Sequence, residues 1–424
     1  MSIASNKTPS AGSADNSAAP RRARQRDIRL DFFRGIGMFI IFMAHLPFNS
    51  WNAFIPARFG FSDATEIFVF CSGMASAIAF GRLFSEQGFG LGLSRIAYRC
   101  WQVYWAHICI FFLVSTLIVV GDAWLQTNGA YTRGLNLVPF LSGDTGTNLV
   151  GLMTLTYVPN YFDILPMYLV ILMLIPVVMA LSQLGRVYVL GLVVGLWLLA
   201  TFGFLDLPAE PWSERVWFFN PFAWQLVFFT GFAFMRGWIP APPVDRRLMI
   251  VAAVGVVVTV PFATAWFLEN FAAFSSARAA IEPLIDKSHF GILRYVHFLC
   301  LAYLAYALAG ENGENLRAIK GPLVPICCTV GQQALGVFMA GQFLAMLFGM
   351  VLDQLGHTFL LTAFVNIFGF ALLVWAAQIA AYFKSAPWLV KSKRTPPGAV
   401  AETIVKPHAG DDEATRSQFA QPSS

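Results

Sequence analysis

The sequence predicts an all-α integral membrane protein with about ten transmembrane helices and with both termini in the cytoplasm. Three observations support this prediction. Of the 424 residues, 57% are hydrophobic and only 12% are charged, whereas soluble domains carry about 25% charged residues. The apolar residues form runs of about 17–26 residues, the length that a helix needs to cross a bilayer. The basic residues are concentrated in alternate loops, which is typical of a membrane protein with a fixed orientation.

The apolar runs define ten predicted spans, of which the sixth is the shortest. They comprise residues 33–50, 64–82, 97–120, 163–183, 187–204, 221–236, 247–268, 290–309, 326–351 and 358–382. With the N-terminus inside, the segments predicted to be cytoplasmic hold seventeen Lys and Arg residues, against five on the opposite side. This positive-inside bias explains the net charge of +5. We therefore expect the lipid bilayer, and no nucleic acid, as a partner.

The ten spans belong to one predicted membrane domain, residues 27–385. The polar segments 1–26 and 386–424 are predicted to be disordered cytoplasmic tails. The first apolar run is long enough to span, and no cleavable signal peptide is evident. The six cysteines lie in or beside predicted spans and show no disulfide or metal-binding spacing. We expect no metal and no permanently bound cofactor.

The first span carries ionisable groups along one stripe. At about 100° per residue, Arg34 and His45 lie within about 20° of each other, and Asp31 lies about 40° to one side. The rise from Arg34 to His45 is about 16 Å, which reaches well into the bilayer. Ionisable groups there cost at least a few kcal/mol unless they face partners or water. We interpret the stripe as catalytic, with His45 as a general base. The alternative is a histidine hydrogen-bonded to a neighbour near the membrane surface.

The second span begins with two carboxylates, Asp63 and Glu66, at the predicted depth of His45. A carboxylate beside a histidine orients the ring and stabilises its charged form. Glu66 is the first candidate for this role and Asp63 the second. The alternative is that both residues cap the helix N-terminus, where negative charge is favourable.

Arg95 and Arg99 lie one helical turn apart at the start of the third span, at the predicted cytoplasmic surface. Two guanidinium groups suit the phosphates of a nucleotide-like donor, although contact with lipid headgroups would also explain them.

Later spans add polar residues at their predicted outer ends. Asp163, Asn220, Arg294 and His297 are predicted to line an outer vestibule for a hydroxylated or anionic ligand. Hydrogen bonds between helices would explain them equally well.

Several of these residues stand in longer motifs. The motifs are Arg29-x-Asp31-Phe-Phe-Arg34-Gly with the distant His45, Asp63-Ala-Thr-Glu66-Ile-Phe-Val-Phe-Cys-Ser-Gly, the pair Arg95 and Arg99, Pro159-Asn-Tyr-Phe-Asp163-Ile-Leu-Pro166 and Phe219-Asn220-Pro-Phe-Ala-Trp224-Gln225. Together they resemble the membrane acyltransferases that modify surface polysaccharides and, within that superfamily, the OpgC family. The resemblance covers about residues 27–385. Many superfamily members have a proline soon after the arginine pair, whereas here Cys100-Trp-Gln-Val-Tyr104 follows.

The resemblance implies transfer of a succinyl group from cytoplasmic succinyl-CoA to glucose hydroxyls of osmoregulated periplasmic glucans. It also implies the inner membrane of a Gram-negative bacterium, with the glucan-synthesis machinery as a further partner. In this hypothesis Arg95, Arg99 and Arg34 hold the CoA phosphates, and His45 deprotonates a glucan hydroxyl. Arg294 or another outer donor would hold the succinyl carboxylate or the oxyanion, and Asp163, Asn220, Trp224, Gln225 and His297 would bind substrate.

Two alternatives remain open. An O-acetyltransferase of another surface polysaccharide would use the same chemistry, because one additional carboxylate needs only one additional basic contact. A transporter or flippase of an anionic or sugar-linked substrate would also place charges inside its spans. Transporters often contain paired repeats, and none is evident in the sequence.

Overall fold

The computed structural model describes residues 27–388. The chain separates into two compact units, Met1–Lys384 and Ser385–Ser424. The described residues of the first unit, 27–384, form a helical bundle, and those of the second are residues 385–388 alone. The predicted disordered tails, 1–26 and 386–424, lie outside the described residues, apart from residues 386–388.

Twelve helices of ten or more residues make up most of the described chain. They are α1 (Arg29–His45), α2 (Ala64–Glu86), α3 (Phe89–Leu125), α4 (Thr145–Thr154), α5 (Ile164–Leu184), α6 (Arg186–Thr201), α7 (Pro221–Arg236), α8 (Arg246–Ala263), α9 (Ile292–Ala309), α10 (Leu323–Gln332), α11 (Ala334–Leu355) and α12 (Phe359–Lys384). Helix α2 contains a π-helical turn, Ala77–Gly81.

Shorter helices occupy the connections. They are Ser50–Phe54, Pro56–Arg58, Ala130–Gly134, Val138–Ser142, Ala265–Asn270, Ala272–Ala280, Glu282–Ile285, Glu311–Gly313 and Glu314–Ala318. Residues 27–388 contain no β-strand, only one isolated bridge between Pro208 and Val216. The predicted all-helical class is confirmed.

Seven helices in the described part are long and apolar enough to cross a membrane, namely α2, α3, α5, α8, α9, α11 and α12. The three other predicted spans coincide with α1, α6 and α7, which have 17, 16 and 16 residues. The ninth predicted span covers parts of both α10 and α11, which separate at Gln333. These helices support a membrane protein, while the count of ten spans and the cytoplasmic termini stay predictions.

Helix α1 packs against α2, α10 and α11, and its contact with α10 brings two backbones together. A Cβ atom on Gly35 would lie 1.9 Å from the Cys327 carbonyl oxygen, and one on Gly331 would lie 1.9 Å from the Asp31 carbonyl oxygen. Only glycine permits such an approach, as is common where membrane helices cross closely. This crossing fixes the start of α1 against α10.

Helices α2 and α7 cross in the same way. A Cβ atom on Gly73 would lie 1.9 Å from the Phe228 carbonyl oxygen, and one on Gly231 would lie 2.3 Å from the Phe70 carbonyl oxygen. Because α1 also packs against α2, the two crossings connect α10, α1, α2 and α7. These helices carry six of the predicted site residues, Asp31, Arg34, His45, Glu66, Trp224 and Gln225.

Candidate active site

Helix α2 begins with a capping box that holds both candidate carboxylates. Asp63 accepts a hydrogen bond from the Thr65 backbone N–H at 2.7 Å, and Glu66 accepts one from the Asp63 backbone N–H at 2.8 Å. Both residues are buried, Glu66 completely. The capping function that the sequence left as an alternative is therefore present, and it directs the free carboxylate oxygens away from the helix end.

Those oxygens pair with cations from distant parts of the chain. The Nε atom of Arg294 donates to Glu66 Oε1 at 2.5 Å, and Arg294 Nη2 lies 3.6 Å from Asp63 Oδ2. Lys287 Nζ donates to Asp63 Oδ2 at 2.5 Å. Although burial opposes ionisation, Lys287 and Arg294 hold the pKa of Asp63 well below its usual range. We call Asp63, Glu66, Lys287 and Arg294 the ionic cluster.

His45, the last residue of α1, lies beside this cluster and outside its hydrogen bonds. Its ring packs edge-on against Tyr161 and Phe338, with 5.7 and 6.5 Å between ring centroids. Asp63 and Lys287 are close enough to act on the ring electrostatically. The ring is partly exposed, and no residue in the described part hydrogen-bonds to either ring nitrogen. Both nitrogens are therefore available to a substrate.

The expected contact between Glu66 and His45 is not formed, which corrects the sequence-based assignment. Both Glu66 oxygens are engaged, one by Arg294 and the other by the Asp63 backbone N–H. Arg294 follows Glu66 by 228 residues, so the sequence alone could not show that it would capture this carboxylate. Asp63, the second candidate, acts on the His45 ring electrostatically, but Lys287 acts on the ring more strongly and with the opposite sign.

A cavity of about 180 Å³ opens beside the ionic cluster. It is lined by Ala57, Gly60, Phe61, Asp63, Arg278, Ile285, Lys287 and Arg294. Three of these residues are cations and one is a carboxylate, so the lining is electropositive. Because a single water needs only ~10–15 Å³ of such space, the cavity can hold a small anionic group. The sequence analysis did not select Arg278 and Lys287 as site residues. The only indication of them was the presence of two cations in the segment that precedes Arg294.

His297 supports one wall of the cavity. Its Nδ1 atom accepts a hydrogen bond from the Ser62 backbone N–H at 3.2 Å, and Ser62 Oγ lies 2.7 Å from the same atom. Since Nδ1 is an acceptor, the neutral ring carries its proton on Nε2. A Cβ atom on Gly60 would lie only 2.3 Å from Nε2, so Gly60 closes this edge of the ring. The contacts of His297 position the segment before α2 and leave no room for substrate at Nε2.

Asp163 and Asn220 are buried and do not line the cavity. Asp163 precedes α5 but does not cap it with its side chain; it accepts a hydrogen bond from the Phe218 backbone N–H at 3.3 Å. Asn220 caps α7 by accepting from the backbone N–H groups of Phe222 and Ala223 at 2.9 and 3.3 Å. The predicted outer vestibule is thus only partly formed, because these two residues have structural contacts.

Trp224 and Gln225 are also fully buried. Trp224 Nε1 donates to the Lys287 carbonyl oxygen at 2.9 Å, which anchors the segment that carries the Lys287 side chain. Gln225 Nε2 donates to the Val193 carbonyl oxygen at 2.7 Å and joins α7 to α6. Both residues support the site from behind rather than facing the cavity.

The segment with Lys287 is held at a second point by His289. Its Nδ1 atom lies 2.7 Å from Asp286 Oδ2, and its Nε2 atom lies 3.0 Å from Asp206 Oδ1. Burial disfavours the charged ring, but the hydrogen bonds to these two carboxylates outweigh it and raise the pKa of His289. Lys287 is therefore presented by a segment fixed on both sides.

A second polar region lies near the start of α1. Asp31 is buried and accepts a hydrogen bond from Gln332 Nε2 of α10 at 3.0 Å. Arg34 lies one turn further along α1, and its Nε atom is buried without a hydrogen-bond partner in the described residues. Cys71 of α2 is close enough to feel both charges. This region therefore holds an unused buried donor.

The arginine pair of α3 stands apart from this second region. Arg95 is exposed, and its guanidinium carbon lies 5.9 Å from the Tyr98 ring centroid. Arg99 donates to Gln102 Oε1 at 3.2 Å. Within residues 27–388, neither arginine hydrogen-bonds to Asp31 or Arg34. A common donor site for Arg34, Arg95 and Arg99 stays a prediction.

One known protein family matches the chain. The family described as OpgC protein matches residues 26–385, which is most of the chain and includes both polar regions. The chain belongs to the OpgC family. This confirms the resemblance that the sequence motifs indicated. No curated protein and no solved structure matches the chain.

In this member of the OpgC family, the structure brings His45, Asp63, Glu66 and Arg294 into one region and adds Lys287 to them. Asp31 and Arg34 lie together about one turn from the opposite end of α1. Helix α1 connects the two regions over about 16 Å between Arg34 and His45. Helix α1 therefore carries the buried Arg34 Nε near one end and, at the other, the His45 imidazole, which has no hydrogen bond within the described residues. A long substrate can contact both groups.

Proposed function

We propose that this protein is a membrane O-acyltransferase that transfers a succinyl group from succinyl-CoA to glucose hydroxyls of osmoregulated periplasmic glucans. Membership of the OpgC family supports the class of reaction. The observation that carries the proposal is His45, an imidazole without a hydrogen bond in the described part, beside a fixed ionic cluster and an electropositive cavity. We further propose that the protein resides in the bacterial inner membrane, close to the machinery that makes the glucan.

His45 acts as the general base in this proposal. An unprotonated ring nitrogen takes the proton from a glucose hydroxyl while the hydroxyl oxygen attacks the thioester carbonyl carbon. The new C–O bond forms, and the C–S bond of the thioester then breaks. The departing CoA sulfur receives the proton from the imidazolium, so the base is regenerated. Asp63, charged because of Lys287 and Arg294, stabilises the imidazolium between these two steps.

The negative charge on the carbonyl oxygen needs a donor that is already in place. Lys287 supplies positive charge that acts on His45, and both Lys287 and Arg294 are held by the carboxylates of the ionic cluster. Because the cluster is preorganised, it requires little rearrangement when the oxyanion develops. This is the role we assign to the cluster as a whole.

The donor and the acceptor are expected on opposite faces of the membrane. We propose that Arg34 binds a phosphate of the CoA, with Arg95 and Arg99 nearer the cytoplasm. The pantetheine arm then runs along α1 towards His45. This arrangement uses the free Arg34 Nε, the buried donor of the second polar region.

The His45→Ala variant tests the proposal. General-base catalysis contributes about 10²–10⁴-fold in rate, so we expect glucan succinylation to fall by that factor at equal protein level. Mass spectrometry of periplasmic glucans would report the acceptor and the acyl group together. His357→Ala is the matched control, because this histidine is paired with Asp353 and lies away from the ionic cluster. Normally succinylated glucan with His45→Ala would remove His45 from the mechanism.

A further inference from the structure

We infer that the cavity beside the ionic cluster binds the distal carboxylate of the acyl group, and that Arg278 and Lys287 make the enzyme select a dicarboxylic over a monocarboxylic acyl donor. The inference rests on the proposed function, acyl transfer at His45. It concerns the lining of the cavity, where Arg278 and Lys287 are the cations that no sequence motif indicated.

The charges around the cavity do not balance. Within the ionic cluster, two carboxylates face two cations at short distances. Arg278 adds a further positive charge, and its only ion pair in the described structure is with the exposed Glu282, at 4.0 Å from Nε. A partner in high dielectric at that distance compensates little of the charge. The cavity therefore has an excess positive charge that an anion would neutralise.

Both proposed residues retain free donors. Arg278 uses Nη1 for the Phe262 carbonyl oxygen at 2.6 Å, and its Nη2 has no hydrogen-bond partner in the described residues. Lys287 has three N–H donors and gives one of them to Asp63. Arg294, in contrast, is buried and occupied by Glu66. A guanidinium and an ammonium on one cavity wall suit a carboxylate through charge-assisted hydrogen bonds.

The cavity is also correctly placed for this role. Asp63 and Lys287 line it, and the same two residues act electrostatically on His45. In a succinyl group the two carbonyl carbons are separated by two methylenes, about 4 Å in the extended form. A carbonyl carbon next to His45 would extend its second carboxylate by that distance, and in this inference the carboxylate reaches the cavity wall that Lys287 lines. An acetyl group would leave the cavity cations without an anion.

The test is a competition between two donors with purified full-length protein, glucan acceptor and equal concentrations of succinyl-CoA and acetyl-CoA. Mass spectrometry of the products gives the ratio of succinyl to acetyl transfer. One charge-assisted hydrogen bond corresponds to a factor of about 10–100. We expect the Arg278→Gln variant to lower the succinyl-to-acetyl ratio by that factor, mainly through the KM for succinyl-CoA, and Arg278→Lys to restore part of it.

Two further arms make the result decisive. Arg58→Gln is the matched control, because Arg58 is exposed in the loop before α2 and does not line the cavity. Free succinate should inhibit the wild-type protein and inhibit Arg278→Gln at least about 10-fold less, while butyramide, which has no negative charge, should inhibit neither. An unchanged ratio together with unchanged succinate inhibition in Arg278→Gln would overturn the inference and leave acyl transfer intact. A wild-type protein that transfers neither acyl group would overturn the proposed function, and the inference with it.

Discussion

The two polar regions that α1 connects are built in opposite ways. At the His45 end, four charged side chains satisfy one another, and the region is held together by ion pairs. At the Arg34 end, the helices are held by backbone contact at Gly35 and Gly331, and the Arg34 Nε is buried without a partner in the described residues.

The two regions therefore use their polar groups for different purposes. The charges of the ionic cluster pair with one another, and His45, the proposed general base, lies outside these pairs. The glycine crossing needs no charge for its stability, so Arg34 remains available for a ligand. The charged residues of the two regions are therefore not equivalent: those of the cluster also stabilise the fold by pairing with one another, whereas Arg34 is a candidate for binding alone. The four predictions that follow test this distinction.

Removing Arg294 should have the largest effect, because it leaves Glu66 as a buried carboxylate without its cation. Breaking a buried pair from one side costs about 3–5 kcal/mol. We expect Arg294→Met to lower the free energy of unfolding by that amount, measured in detergent by denaturant titration. The double variant Glu66→Gln with Arg294→Met should recover most of the loss. Equal stability of Arg294→Met and wild type would contradict the architectural role.

Replacing Arg34 should affect donor binding and spare the fold. A hydrogen bond to a charged group is worth about 1.5–3 kcal/mol, so Arg34→Gln should raise the KM for succinyl-CoA about 10–100-fold. The free energy of unfolding should stay the same or increase, since an unpartnered buried group is removed. Arg82→Gln, at an exposed position on the predicted cytoplasmic side, is the control. A large loss of stability in Arg34→Gln would show that Arg34 is architectural too.

A methyl group at the glycine crossing should destabilise the Arg34 end. In Gly331→Ala the new Cβ atom would lie 1.9 Å from the Asp31 carbonyl oxygen, so α1 and α10 must move apart. Overpacking of this kind costs about 1–3 kcal/mol of unfolding free energy. Gly191→Ala is the matched control, because its Cβ atom would meet no atom within 4 Å and alanine favours the helix. If Gly331→Ala and Gly191→Ala changed the free energy of unfolding equally, the backbone contact at Gly331 would not be what holds the Arg34 end together.

The smallest effect concerns His289, which holds the Lys287 segment from outside the bundle. Because the pKa of His289 is raised in the folded protein, its charged form contributes fully below the unfolded pKa of about 6.5. This contribution is lost as pH rises through the folded pKa. We expect it to be less than about 1 kcal/mol, since the pair is partly exposed.

Hydrogen exchange of residues 286–289 would measure this pH dependence. Protection in the wild type should decrease as the pH rises above the unfolded pKa of about 6.5, and His289→Gln should show low protection throughout this pH range. A pH dependence that persists in His289→Gln would assign it to another group.

The sequence predicted the helices well because the length of an apolar run is a local property. All ten predicted spans coincide with helices, but the apolar run 326–351 could not reveal that the helix is interrupted at Gln333.

The site was predicted less well because its ion pairs join residues that are far apart in the sequence. The residues Asp63, Glu66 and Arg294 were identified, but the partner of Glu66 depends on how α9 packs against α2. Arg278 and Lys287 were missed because a cation in a connecting segment, whether in a short helix like Arg278 or outside one like Lys287, belongs to no span and carries no periodic signal.

The interruption at Gln333 has a mechanical consequence. Gln332, before it, holds Asp31, and Phe338, after it, packs on the His45 ring. A continuous helix would transmit a displacement of one residue to the other through its backbone hydrogen bonds. Here the interruption separates α10 from α11, so we expect a displacement of Gln332 to reach Phe338, and with it the His45 ring, only weakly.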